Sequence, residues 1–192
     1  MSKIKREEEI LQGAIKVFSQ YGFYKAKMED IAKEAGVGKG TVYEYYASKE
    51  ELFHKMVDYV VNNYIEAASS TVNNEKTLKD KLITFAQHHG SFIKEHMDMV
   101  DSILSNPSAV SKEFKVYIEE SQDRFFEFFN QIIEGAKANG EIREDIDTYS
   151  MALTIVGAIN QYYGKRIVCD KEDIDNIDPD SIIRIILDGI AR

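Results

Sequence analysis

The chain has 192 residues, of which 44% are hydrophobic and 30% charged, a balance typical of a globular protein that buries a sizeable core. The single cysteine, Cys169, excludes an internal disulfide framework, and the apolar stretch 151–159 is too short to span a bilayer. The net charge of −9 is unevenly spread: residues 1–50 contain nine Lys and Arg against eight Asp and Glu, so they carry +1 and the remainder carries −10. We therefore expect a cytoplasmic protein, whose charge permits a DNA-binding surface only in the first fifty residues.

Helical periodicity recurs along the chain, and no alternating strand pattern competes with it. Ser48 and Glu51 form a capping box that predicts the start of a long helix. The predicted helices cover about residues 5–21, 28–35, 39–46, 48–68, 78–96, 99–105, 112–139 and 147–166, and a last helix follows residue 178. In the first helix, Ile10, Ala14 and Phe18 form an apolar stripe, and the polar run 69–76 is a predicted linker. Asp147 and Asp178 are the predicted N-caps of the last two helices, with Pro179 at the first position of the final one. The predicted fold class is all-α, with about nine helices.

The predicted helices suggest two domains. An N-terminal head of three short helices covers residues 1–48, and a larger C-terminal helical bundle covers residues 49–192. The helix from about residue 49 to 70 would connect the two.

The second and third helices are separated by a tight turn. Gly36 suits the left-handed conformation that ends a helix, and Ala32 is small where two helices must cross closely. If Val42 faces inward with its apolar neighbours, the outer face of the third helix carries Lys39, Gly40, Thr41, Tyr43 and Tyr45. A cation, a hydroxyl and phenols suit contacts with phosphates and base edges in a major groove. Lys49 offers a further ammonium at the start of the next helix.

The run from Ile31 to Leu52 fits the pattern I-A-x-x-A-G-V-x-x-G-x-x-Y-x-Y-[FY]-x-S-K-x-x-L, and residues 18–23 read F-S-Q-Y-G-F. Over residues 8–55 the chain resembles the N-terminal domain of the tetracycline-repressor (TetR) family. The resemblance implies an all-helical homodimer in which residues 1–48 form a helix-turn-helix head that binds DNA. It also implies that residues 49–192 form a body that dimerises and binds a small-molecule ligand, which controls the separation of the two heads. It also assigns DNA contacts, carried by Lys39, Thr41, Tyr43, Tyr45 and the phosphate-contacting Lys49.

The sequence departs from the family's usual pattern at two positions. Lys27 stands where Ser or Thr usually caps the second helix and touches a phosphate; lysine keeps the charge for a phosphate contact but cannot cap. Tyr46 stands where Phe is usual, so its hydroxyl must find water or a partner. Neither change alters the predicted fold.

Ligand-binding candidates in the body come from sequence regions without a diagnostic motif. His89 falls on the apolar stripe that contains Phe92, and His96 lies on the same face two turns later. A hydrogen-bonded core histidine is the commoner explanation, and a polar group in a ligand pocket is the alternative. The remaining candidates are Phe125, Phe129 and Tyr162. We predict no metal site, because no third ligand lies nearby, and no cofactor.

The leading functional hypothesis is a repressor released from a near-palindromic operator by a small apolar or amphipathic ligand. The alternative is a DNA-binding protein of the same fold that takes no ligand and is controlled by protein partners. An enzyme is not predicted, because no nucleophile–base pair, metal-ligand set or phosphate loop is legible. Gly157, Ala158 and the isoleucine-rich last helix suggest a four-helix dimer interface, although both helices could instead be buried within one protomer.

Overall fold

The computed structural model describes residues 3–96 and 112–189, without the side chains of 112–123. All regular structure in these ranges is helical, which confirms the all-α prediction. The α-helices are α1 (Lys3–Lys25), α2 (Met28–Glu34), α3 (Lys39–Tyr45), α4 (Lys49–Val72), α5 (Leu78–Glu95), α6 (Lys112–Ala138), α7 (Thr148–Tyr163) and α8 (Pro179–Asp188). A π-helix, Gly164–Cys169, and a 3₁₀ turn, Ile174–Asn176, lie between α7 and α8. The predicted helix at 99–105 lies outside the described residues.

The described residues divide into two compact units. The first contains residues 3–63 and 112–119, and the second contains residues 64–96 and 120–189. We call them the head and the body. Within these ranges no helix is long and apolar enough to cross a membrane.

The head is held together by the inner faces of α1 to α4. Ile10 and Ala14 of α1 are fully buried, as the predicted stripe requires, and so are Ile31 of α2 and Val42 of α3. Gly13 lets α1 and α2 approach closely, because a Cβ there would lie 2.9 Å from the backbone nitrogen of Ala35. A side chain at position 13 would therefore separate the two helices.

The turn between α2 and α3 has the geometry that the sequence predicts. Gly36 has a φ of 67°, in the left-handed region that glycine adopts without a Cβ penalty. The amide of Val37 donates to the carbonyl of Ala32 at 2.9 Å, and that of Gly36 donates to Lys33 at 3.2 Å. These bonds satisfy carbonyls at the end of α2 and turn the chain into α3.

The helix α4 starts at the predicted capping box and ends later than predicted. Ser48 Oγ accepts from the amide of Glu51 at 3.1 Å, while the Glu51 carboxylate accepts from the amide of Ala47 at 2.7 Å. The predicted linker at 69–76 is helical as far as Val72, whose side chain is fully buried. Burial of this apolar side chain stabilises a final turn that its polar neighbours would not.

The body packs α5 against α7 and α8. Gly90 of α5 makes room for the buried Tyr163 of α7, because a Cβ at Gly90 would lie 2.3 Å from that ring. The predicted caps of the last two helices are present: Asp147 accepts from the amide of Ser150 at 2.8 Å, and Asp178 accepts from Asp180 at 3.0 Å. The helix predicted to reach residue 166 instead becomes a π-helix after Tyr163.

Candidate DNA-binding surface and effector-binding region

The outer face of α3 is open to solvent. Lys39 and Gly40 are exposed, Tyr43 has 47% of its surface exposed, and Thr41 is half-buried. A Cβ on Gly40 would meet no atom within 4 Å, so packing within the chain does not explain a glycine there. The structure therefore brings these four predicted residues onto a surface that can approach a ligand closely.

Lys27 occupies the N-cap position of α2 in an extended backbone conformation, and its side chain makes no capping hydrogen bond, as the sequence predicts. The side chain is exposed. Glu29 and Asp30 lie in the first turn of α2, where carboxylates interact favourably with the helix dipole. The head thus tolerates the missing cap and leaves the ammonium of Lys27 exposed.

Lys49 is held by the junction between α1 and α2, which sequence reasoning did not anticipate. Its Nζ donates to the carbonyl of Ala26 at 3.2 Å and to that of Tyr24 at 3.4 Å. The same ammonium lies 4.6 Å from the centroid of the Phe23 ring. Lys49 therefore fixes the entry into α2, and its phosphate contact stays a prediction.

Tyr45 also has a partner within the head. Its hydroxyl donates to the backbone carbonyl of Lys3 at 3.4 Å, and its half-buried ring packs against the head core. The contact connects the last residue of α3 to the first described residue of α1. A direct contact of Tyr45 with DNA stays a prediction.

Tyr46 carries the hydroxyl that the usual phenylalanine would lack. The residue is 2% exposed, and its hydroxyl has no hydrogen-bond partner among the described residues. Burial, followed by the negative charges of Glu7 and Glu51, raises the pKa of this phenol well above its usual value. The phenol therefore stays neutral.

A chain of hydrogen bonds crosses the body from α4 through α5 to α7. The Tyr64 hydroxyl lies 2.8 Å from Nδ1 of His89, and Nε2 of His89 lies 3.3 Å from Oδ1 of Asn160. Because the amide oxygen can only accept, Nε2 carries the proton and Nδ1 accepts from tyrosine. Burial lowers the pKa of His89 to about 4, against the opposing effect of Asn160, so the imidazole is neutral.

Aromatic rings surround this hydrogen-bond chain. The ring of Tyr64 lies 4.6 Å from that of Phe92 and 5.4 Å from that of Phe125, and the Phe85 ring lies 4.6 Å from that of Phe129. Phe92 and Phe125 are half-buried, whereas Phe129 is fully buried. We call His89 and these five residues the aromatic cluster.

The other two predicted ligand-binding residues, His96 and Tyr162, lie outside this cluster. His96 stacks on Phe92 at 4.3 Å, and its Nδ1 lies 3.0 Å from the carbonyl of the same residue. Tyr162 instead donates to the backbone carbonyl of Asp178 at 2.8 Å, and its ring lies under the guanidinium of Arg166. The structure thus brings four of the six candidates into the cluster, with His96 adjacent and Tyr162 at the connection to α8.

Tyr64 and Asn160 belong to the hydrogen-bond chain but were not among the predicted site residues. A partial signal for each is visible in the sequence: Tyr64 is a phenol within the apolar stripe of α4, and Asn160 is an amide that interrupts the apolar run of α7. In the described part of the chain, no three His, Cys, Asp or Glu side chains are grouped as metal ligands.

Two family models match the chain. Residues 10–56 match the model described as bacterial regulatory proteins of the tetR family, and residues 75–164 match the tetracyclin repressor-like C-terminal domain. The chain belongs to the TetR family. It is therefore a DNA-binding transcriptional regulator, which confirms the leading sequence-based hypothesis on this point.

Several relatives of this TetR-family chain are transcriptional regulators. The fatty acid metabolism regulator protein of Bacillus subtilis is 23% identical over 183 residues, which cover 95% of this chain and 94% of that protein. The transcriptional repressor KstR2 of Rhodococcus jostii is 27% identical over 151 residues, covering 74% and 70%.

Solved structures agree with the fold. The regulator FadR from Bacillus subtilis, in complex with stearoyl-CoA, superposes with a TM-score of 0.79 at 22% identity, covering 96% of this chain and 99% of that one. A Clostridium perfringens putative fatty acid metabolism regulator has a TM-score of 0.73 at 25% identity, with the same coverage. The similarity to these solved structures thus covers nearly the whole chain.

Proposed function

We propose that the chain is a homodimeric repressor that binds a near-palindromic operator through α3 and leaves it when a long-chain acyl ligand binds the body. The observation that carries the DNA-binding part is the uncovered outer face of α3, with an exposed lysine, phenol and glycine. The proposal keeps the division predicted from the sequence: residues 1–48 bind DNA, and residues 49–192 bind the ligand and dimerise.

Four residues of α3 have a defined part in this proposal. Lys39 and Tyr43 lie four residues apart on the same face of the helix, so they can reach a groove together. The missing side chain at Gly40 allows the DNA backbone or a base edge to approach α3. Thr41 adds a hydroxyl, and the exposed ammonium of Lys27 suits a phosphate.

The proposed dimer would use α7 and α8. Leu153 and Tyr149 of α7 and Ile185 of α8 are exposed although they are large and apolar. Gly157 is also exposed, and a Cβ there would meet nothing within 4 Å in the protomer. An uncovered apolar surface with room for close approach supports a four-helix interface between two copies.

The proposed ligand class rests on two supports. One relative is named as a regulator of fatty acid metabolism, and FadR was solved with stearoyl-CoA. In the body, the half-buried rings of Phe92 and Phe125 and the neutral His89 give apolar walls with few polar groups, which suits an acyl chain. Both nitrogens of His89 are already hydrogen-bonded within the body, which favours a packing role for this side chain over contact with the ligand. The alternative function remains a DNA-binding protein that takes no ligand and is controlled by a protein partner.

The first experiment measures binding of the purified protein to DNA fragments upstream of its own and neighbouring genes, at a stated salt concentration. Wild type is compared with Lys39→Ala and Tyr43→Ala, and Lys16→Ala is the control. Lys16 lies on α1, where it pairs with Glu34 at 2.9 Å. Selective binding that is lost in the α3 variants and kept in the control supports the proposal. Equal binding by all four proteins contradicts it.

A further inference from the structure

The recognition helix and the start of the chain meet at one contact. Tyr45, the last residue of α3, donates its hydroxyl proton to the carbonyl of Lys3, the first described residue of α1. These residues are 42 positions apart in sequence. The half-buried ring of Tyr45 packs against the head core, and its hydroxyl connects that core to the first turn of α1.

The turn held in this way carries a cation that is exposed. Lys3 is exposed, and among the described residues no carboxylate pairs with its ammonium. Arg6 in the next turn pairs with Glu9 at 3.4 Å, so its charge is partly neutralised. Lys3 is therefore a cation of this turn that can bind a phosphate without first breaking an ion pair within the described residues.

The length of α3 is close to the width of a DNA major groove. Seven helical residues span about 10 Å, and the major groove is about 12 Å wide. Lys39 is the first residue of α3, and the contact at Tyr45 brings Lys3 to the opposite end. With α3 lying across the groove, the two lysines would face the phosphates of different strands.

We propose that the first turn of α1 is a second phosphate-binding element, in which Lys3 contacts the DNA backbone and Tyr45 positions it. Tyr45 then acts through Lys3 and does not read bases. This inference rests on the proposed DNA-binding role of α3.

The test measures operator affinity across a salt series for wild type, Lys3→Ala, Tyr45→Phe and the double variant. Removing one phosphate contact lowers the slope of log affinity against log salt by about 0.9. The ratio of wild-type to Lys3→Ala affinity should therefore shrink about 3.5-fold between 50 and 200 mM salt. Lys3→Arg, which keeps the charge, should retain the wild-type slope, and Lys16→Ala controls for the loss of one positive charge elsewhere on α1.

Tyr45→Phe should weaken binding and reduce the salt slope in the same direction as Lys3→Ala, and it should cost almost nothing further in the Lys3→Ala background. An unchanged slope in Lys3→Ala overturns the inference, and so do additive costs, because a tyrosine that touches DNA directly would act independently of Lys3. Lys39→Ala is measured alongside. If its binding is lost while Lys3→Ala behaves as wild type, only this inference fails; if both bind normally, the proposed role of α3 fails as well.

Discussion

Lowering the pH should destabilise the protein through His89. Burial lowers the pKa of His89 to about 4, whereas an unfolded chain gives histidine a pKa of about 6.5. The unfolded state therefore binds a proton that the folded state does not. The part of the free energy of unfolding that depends on neutral His89 is therefore fully present above pH 6.5 and is lost as the pH falls toward 4.

The two pKa values give a loss of about 2 kcal/mol between pH 7 and pH 5 from this residue alone. Urea unfolding at both pH values and at one protein concentration measures it, with His89→Gln as the comparison. Glutamine does not titrate, and the other ionisable groups are the same in both proteins. Wild type should lose about 2 kcal/mol more than the variant over this interval. An equal loss in the two proteins would refute the assignment of a buried, neutral His89.

Three further predictions concern single residues. Gly40→Ala should raise the free energy of unfolding by up to about 1 kcal/mol, because alanine favours the helix and its Cβ meets nothing within 4 Å. The same variant should weaken operator binding at least about tenfold. Unchanged binding would contradict a close approach of Gly40 to DNA. Gly90→Ala should destabilise the body by about 1–3 kcal/mol in urea unfolding, because its Cβ would lie 2.3 Å from the Tyr163 ring; wild-type stability would contradict this packing. Leu153→Glu should yield folded monomers in sedimentation experiments, with Glu95→Gln as an exposed control on α5; a variant that stays dimeric would place the interface elsewhere.

The sequence predicted those features that depend on neighbouring residues. The left-handed Gly36 and the caps at Ser48, Asp147 and Asp178 follow from interactions that span only a few positions, so local patterns reveal them. The family resemblance added the identity of the recognition helix, because the pattern from Ile31 to Leu52 is long and ordered.

Contacts between distant positions were not predictable from the same patterns. Lys49 meets carbonyls 23 and 25 residues earlier in the chain, and Tyr45 meets one 42 residues earlier. A lysine or tyrosine on or next to the recognition helix has the same sequence signature whether it contacts DNA or a backbone carbonyl of the head. Only the packing of α1 against α3 and α4 distinguishes the two.

The body shows the same limit. Its aromatic and aliphatic residues were assigned to a core or to a pocket, and the composition alone fits both. The structure groups His89, Phe92, Phe125 and Phe129, whereas Tyr162 donates to the carbonyl of Asp178. The chain after Tyr163 is a π-helix, which a 3.6-residue periodicity does not reveal.

The proposed function requires that an acyl ligand and operator DNA weaken each other's binding to the same protein. The most direct measurement is the affinity of the purified protein for labelled operator DNA, with and without saturating stearoyl-CoA, paired with the affinity for stearoyl-CoA with and without DNA. We expect each ligand to weaken binding of the other by the same factor, about 5- to 150-fold. Stearoyl-CoA that binds without changing the DNA affinity, or that does not bind at all while DNA does, would contradict it.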